Sequence, residues 1–125
     1  MVPYTGLANG FGTNDPVSQS SGWINAIDPK TGQFVWRVHR PTPMYAAVTA
    51  TAGNVLFTGD LKGDFLVLNA GNGQELYSFN TGGTVAGGVI SYQIGAKQYV
   101  ATTSGVVSGF FGGSGTSAVI IFALP

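Results

Sequence analysis

The sequence predicts an all-β protein built from antiparallel, four-stranded sheets. Three observations carry this. Nine short runs of β-branched and aromatic residues alternate with Gly, Pro, Asn and Asp turn signals along most of the 125 residues. No stretch sustains a helical period, and Gly or Pro closes nearly every run, so a helix of ordinary length has no place to fit. A segment near residue 30 also returns, altered, near residue 70.

Residues 1–21 are rich in Gly, Pro, Asn and Ser and are expected to be irregular. The candidate strands then follow in order. GWINAID begins at Gly22 and QFVWRVH at Gln33, joined by a turn around Pro29 and Gly32. AAVTATAG begins at Ala46, NVLFTGD at Asn54, DFLVLNA at Asp64 and QELYSFN at Gln74. GGVISYQI begins at Gly87, KQYVATTS at Lys97 and SAVIIFAL at Ser117.

The repeat groups these strands. Ile27, Asp28, Gly32, Gln33, Val35 and Trp36 correspond to Leu68, Asn69, Gly73, Gln74, Leu76 and Tyr77, each pair 41 residues apart. Gly53 and Phe57 correspond to Gly95 and Tyr99 at a spacing of 42. A period of about 40 residues holding four short strands is the signature of a β-propeller blade. With strands lettered A to D from the central channel outward, residues 22–125 read as a partial β-propeller. It comprises strands C and D of one blade, one full blade, and strands A, B and C of a third.

The repeated turn has a physical reading. Asp28 accepts backbone N–H bonds across its turn, as Asx residues do. Gly32 supplies the positive φ that other residues resist. Trp36 can lie flat against the next blade while its indole N–H bonds a carbonyl there. The second copy keeps the glycine as Gly73 but has Asn69 for Asp and Tyr77 for Trp, both still able to hydrogen-bond.

Composition removes several function classes. Charged residues are only 8% of the chain, five basic against five acidic. A neutral surface without a Lys/Arg cluster gives no electrostatic case for nucleic acid or an anionic membrane. The absence of cysteine excludes disulfides, a thiolate nucleophile and Cys-based metal sites. MVPYTGLANG has neither the charged nor the apolar region of a signal peptide, and AVIIFALP is too short to span a bilayer.

Several local features are expected to be structural. His39 reads as an exposed residue at a strand end. Asp60 and Asp64 in GDLKGD lack the additional oxygens of a calcium loop and read as turn chemistry. GFFGGSG has no Lys and no strand–loop–helix context, so it is not a phosphate loop.

AIDPKTGQFVW, spanning Ala26 to Trp36, resembles the tryptophan-docking motif of the quinoprotein alcohol dehydrogenases, eight-bladed propellers that use pyrroloquinoline quinone (PQQ). VTATAGNVLFTGDLKGDFLVLNAGNGQELYSFNTGG is similar to the next-to-last blade of their methanol and ethanol dehydrogenase members. GGVISYQIGAKQYVATTSG resembles their closing segment and VIIFALP their C-terminal strand, so the likeness covers about residues 22–125. The docking motif maps onto Ala26, Asp28, Gly32 and Trp36, with its second copy at Asn69, Gly73 and Tyr77.

The resemblance implies C-terminal blades of an enzyme that oxidises alcohols. In such enzymes PQQ and a calcium or lanthanide ion sit on the propeller axis. An Asp takes the alcohol proton, and hydride passes to PQQ. It also implies a periplasmic location. The family's metal ligands include a Glu and an Asn, and adjacent cysteines cover the cofactor ring. This sequence has no cysteine, and its single glutamate, Glu75, falls in a blade-edge turn. No catalytic residue and no metal ligand therefore carry over, and the isolated chain is expected to be inactive and to bind no cofactor by itself.

Two positions correspond to cofactor-pocket tryptophans of relatives. Tyr45 stands at the first, just before the TATAG strand, and Phe110 or Phe111 at the second, in GVVSGFFGGSG. Tyr45 otherwise reads as ordinary packing, and the Phe pair as a hydrophobic plug.

A propeller needs several blades to close, typically at least four. The open edges and bare faces of two blades invite partners. These would be the remaining blades of a longer enzyme, or copies of the same chain joined by strand exchange. The competing reading is a non-catalytic, stand-alone blade module with a binding or assembly role.

Overall fold

The computed structural model describes residues 16–105 and 114–123. After a single 3₁₀ turn at Val17–Gln19 come nine strands: β1 (Gly22–Ile27), β2 (Phe34–Arg40), β3 (Thr49–Ala50), β4 (Val55–Gly59), β5 (Asp64–Asn69), β6 (Glu75–Asn80), β7 (Val89–Ile94), β8 (Lys97–Ser104) and β9 (Ala118–Ala123). The fold is all-β, as the alternating runs require. The strands form three antiparallel sheets in which every neighbour is next in sequence: β1-β2, then β3-β4-β5-β6, then β7-β8-β9.

The two repeated hairpins close in the same way. Asp28 N–H donates to the Gln33 carbonyl and Gly32 N–H to the Asp28 carbonyl. At the second turn Asn69 N–H donates to Gln74 O and Gly73 N–H to Asn69 O. The Asp28 carboxylate accepts from Lys30 N–H, and the Asn69 amide oxygen accepts from Gly71 N–H. Gly32 and Gly73 have φ of 72° and 75°, in the left-handed region that a side chain resists. Both strand pairs bulge at equivalent places, Ala26/Ile27 and Val67/Leu68. The bulge adds twist, so each outer strand bends over its neighbour.

The hydrophobic core lies between sheets. Ile24 of the first sheet packs with Leu56, Leu66 and Leu68 of the second, flanked by Trp36, Met44 and Ala70. Phe57 and Phe65 of the second sheet pack with Val89 and Val100 of the third. Phe122 stacks on Phe65 with ring centroids 4.6 Å apart. The second sheet is thus buried on both faces. This is why DFLVLN reads as a nearly continuous apolar run rather than as clean alternation.

One strand is shorter than its sequence suggests. AAVTATAG forms a ladder only at Thr49–Ala50. Its other polar groups turn elsewhere: Ala47 N–H donates to Gly87 O, Thr49 Oγ1 donates to Val89 O, and Thr51 N–H and Oγ1 both bond Val55 O. The innermost strand is therefore shared between its own sheet and the next. His39 is exposed near the end of β2, as expected. Its ring lies 4.5 Å from that of Trp23.

Candidate functional site

Two places in the fold combine polar groups from different sheets: the seam between the first and second sheets, and a cleft at the edge of the third.

At the seam, β2 projects Trp36, Val38 and Arg40 toward the second sheet. Trp36 Nε1 donates to Ala70 O at 2.9 Å. The indole lies over the second hairpin turn so closely that a Cβ on Gly73 would come within 2.6 Å of Trp36 Cε3. Tyr77, the equivalent of Trp36 one repeat later, is half-exposed, and its side chain has no hydrogen bond among the described residues. Among the described residues the third sheet runs β7-β8-β9, with no outer hairpin turn opposite Tyr77.

Arg40 organises the other end of the seam. Its Nη1 contacts Glu75 Oε2 at 3.0 Å, and its Nη2 contacts Asp64 Oδ2 at 3.3 Å and Asp60 Oδ2 at 3.7 Å. Asp60 is 1% exposed, and its Oδ1 accepts the backbone N–H groups of Lys62 and Asp64. The carboxylate is thus spent on closing the β4–β5 turn, with Arg40 as counter-charge. No local pattern announces this role for Arg40, because its partners lie 20 to 35 residues downstream, in the β4–β5 turn and on β5 and β6.

The cleft has a volume of about 590 Å³ and is lined by Thr84, Ala86, Gly87 and the facing ends of β8 and β9. Two hydroxyls of its wall are engaged. Thr84 Oγ1 donates to Leu61 O and accepts from Ser114 N–H. Ser104 Oγ donates to Gly83 O. A Cβ on Gly87 would displace the Thr103 hydroxyl from its present position. Tyr45 is half-exposed on the segment that reaches the cleft through the Ala47–Gly87 bond, but it is not part of the lining. Phe110 and Phe111 lie outside the described residues.

The described residues do not fit the cofactor and metal that the resemblance implies. PQQ is a planar quinone bearing several carboxylates, and no cationic side chain lines the cleft. Two of its lining hydroxyls, those of Thr84 and Ser104, already serve the backbone. No group of three or more His, Cys, Asp or Glu among the described residues could hold a metal ion. No helix among them is long and apolar enough to cross a membrane.

No family model matches the chain. It is 36% identical over 99 residues to the quinoprotein ethanol dehydrogenase of Pseudomonas putida, a match covering 79% of this chain and 16% of that protein. Its fold matches the quinohemoprotein alcohol dehydrogenase of Comamonas testosteroni with a TM-score of 0.73 and 27% identity, covering 82% of this chain and 16% of that one. It matches a europium-containing methanol dehydrogenase with a TM-score of 0.64 and 30% identity, covering 67% and 15%. The chain therefore spans about one sixth of the length of these relatives. Sequence and fold together make it a homologue of the quinoprotein alcohol dehydrogenase family.

Proposed function

We propose that this chain is the C-terminal sector of a PQQ-dependent alcohol dehydrogenase. It supplies propeller blades to an enzyme that oxidises alcohols by hydride transfer to PQQ, and it is catalytically silent alone. The observation that carries the proposal is the seam, where Trp36 of one sheet bonds the repeated turn of the next through Ala70 O, in a chain whose sequence is 36% identical to a quinoprotein dehydrogenase. Silence in isolation is supported by the state of the acids. Among the described acids, Asp60, Asp64 and Glu75 engage Arg40 and Asp28 accepts from Lys30 N–H and Thr31 Oγ1, whereas a general base must be free to accept a proton.

In this reading PQQ and its calcium or lanthanide ion are held mainly by residues outside this chain. Tyr45, Phe110 and Phe111 form at most an apolar wall of the pocket, and the enzyme works in the periplasm. The test has two arms. The purified chain, given PQQ, calcium or a lanthanide and ethanol with a dye acceptor, should show no turnover; turnover would overturn the assignment of the catalytic groups to other blades. A chimera of the Pseudomonas putida enzyme, with its matched segment replaced by this chain, should fold and oxidise ethanol. A folded chimera unable to bind PQQ would count against the sector reading.

A further inference from the structure

We propose that Asn72 is a site of spontaneous deamidation, and that the seat of Trp36 on the second hairpin turn sets its rate. Of the asparagines among the described residues, only Asn72 is followed by glycine. Deamidation needs the next residue's amide nitrogen to reach the side-chain carbonyl carbon, and a glycine there has no side chain to obstruct the approach. Asn72 is exposed, so water and base reach it.

The turn activates one reacting group and restrains the other. Gln74 N–H donates to Asn72 Oδ1 at 3.0 Å. That bond draws electrons from Cγ and is already in place for the negative oxygen that forms when Cγ is attacked. The nucleophile is held back. Gly73 N–H donates to Asn69 O at 2.8 Å, which shelters its proton and fixes its nitrogen in the turn. Trp36 and Val38 keep it there: a Cβ on Gly73 would come within 2.6 Å of Trp36 Cε3 and 2.9 Å of Val38 Cγ2. For Gly73 N to swing toward Asn72 Cγ, the turn must give up its bond to Asn69 and shift against the indole.

The first copy of the turn shows that asparagine is not needed for its shape. Thr31 stands at the matching position, 41 residues earlier, and its Oγ1 accepts from Gln33 N–H at 3.3 Å. Threonine makes the same bond without a carbon open to attack.

The reaction balances with water as its only reagent. Gly73 N loses its proton to solvent and bonds to Asn72 Cγ as the Cγ–Nδ2 bond breaks, and Nδ2 leaves as ammonia. Water then opens the cyclic imide at either carbonyl. The product is an aspartate or an isoaspartate at position 72, with a water consumed for each ammonia released. Isoaspartate adds a carbon to the main chain next to Gly73, where the indole leaves no space, and so loosens the seam. This inference concerns the chain's own chemistry and stands apart from the dehydrogenase reading.

The test is incubation of the whole chain at mildly alkaline pH, followed by peptide mapping with mass spectrometry and an isoaspartate assay. Mapping separates position 72 from the other Asn–Gly pair, Asn9–Gly10. The folded wild type should convert at position 72, more slowly than the same chain in urea. Asn72→Thr should abolish the isoaspartate signal in this turn. Trp36→Phe should convert about fivefold faster than wild type, a change of about 1 kcal/mol in opening the turn. Should that variant fail to fold, Val38→Ala probes the same seat. Val100→Ala, in the core between the second and third sheets, should convert at the wild-type rate despite its lower stability. No conversion at position 72 in the folded wild type, or a signal in the turn that persists in Asn72→Thr, overturns the site. A Trp36→Phe rate equal to that of wild type overturns control by the seat. So does a Val100→Ala rate as high as that of Trp36→Phe, which would assign the reaction to global unfolding.

Discussion

Trp36 rests on Gly73, one residue of each copy of the repeated hairpin, so closely that a single added carbon would bring atoms to 2.6 Å. Gly73 is held by two constraints, its φ of 75° and the indole above it. Gly32 has the first without the second: its φ is 72°, and an added Cβ would meet nothing within 4 Å. Gly32→Ala should therefore cost about 1 kcal/mol, the strain of a left-handed residue. Gly73→Ala should cost at least about 1 kcal/mol more, as the indole is pushed from its seat. Urea unfolding of the two variants separates the terms, and equal costs would show that Trp36 yields freely.

Replacing Trp36 tests the seam from the other side. Trp36→Phe keeps a flat ring but leaves the Ala70 carbonyl without the 2.9 Å bond, at a cost of about 1–2 kcal/mol. Trp36→Ala opens a cavity between the sheets and should cost about 3 kcal/mol or more. Should the two variants unfold at the same denaturant concentration, packing contributes little and the bond carries the seam.

The acidic end of the seam should be uneven. Arg40→Ala strands the Asp60 carboxylate, 1% exposed, without its counter-charge, and a loss of about 3 kcal/mol follows from breaking a buried pair. Glu75→Gln removes only the exposed member, worth about 1 kcal/mol at most. Thermal unfolding of both variants checks the ranking; a Glu75 effect as large as that of Arg40 would mean that the surface pair dominates.

Thr84 offers a fourth test. Its hydroxyl joins Leu61 O to Ser114 N–H in a buried position, so Thr84→Val leaves two backbone groups unpaired at similar volume. A loss of about 1–3 kcal/mol is expected. Faster amide exchange at Ser114 should accompany it; unchanged exchange there would argue that water takes over the role.

What was legible in the sequence was whatever repeats or is local. The nine runs became nine strands, because alternation and turn glycines are written within a few residues of where they act. The short β3 was overestimated, because Ala47 and Thr49 bond Gly87 and Val89 on another sheet and no local pattern announces that. Arg40 was missed for the same reason: Asp60, Asp64 and Glu75 come together only after three strands have paired. Tyr45, a candidate for the cofactor wall from the resemblance, is half-exposed and does not line the cleft.

The bond from Trp36 ends on a main-chain carbonyl, and every amino acid carries that group. The donor and the glycine beneath it are constrained, whereas the acceptor is main chain and does not depend on which side chain stands at position 70. Such a joint works like a standard coupling: any module that presents the turn can receive it, whatever else its sequence says. A gene that copies one such module has already made a part that fits its neighbour, and interchangeable parts of this kind let a ring grow by duplication with no new fit to invent.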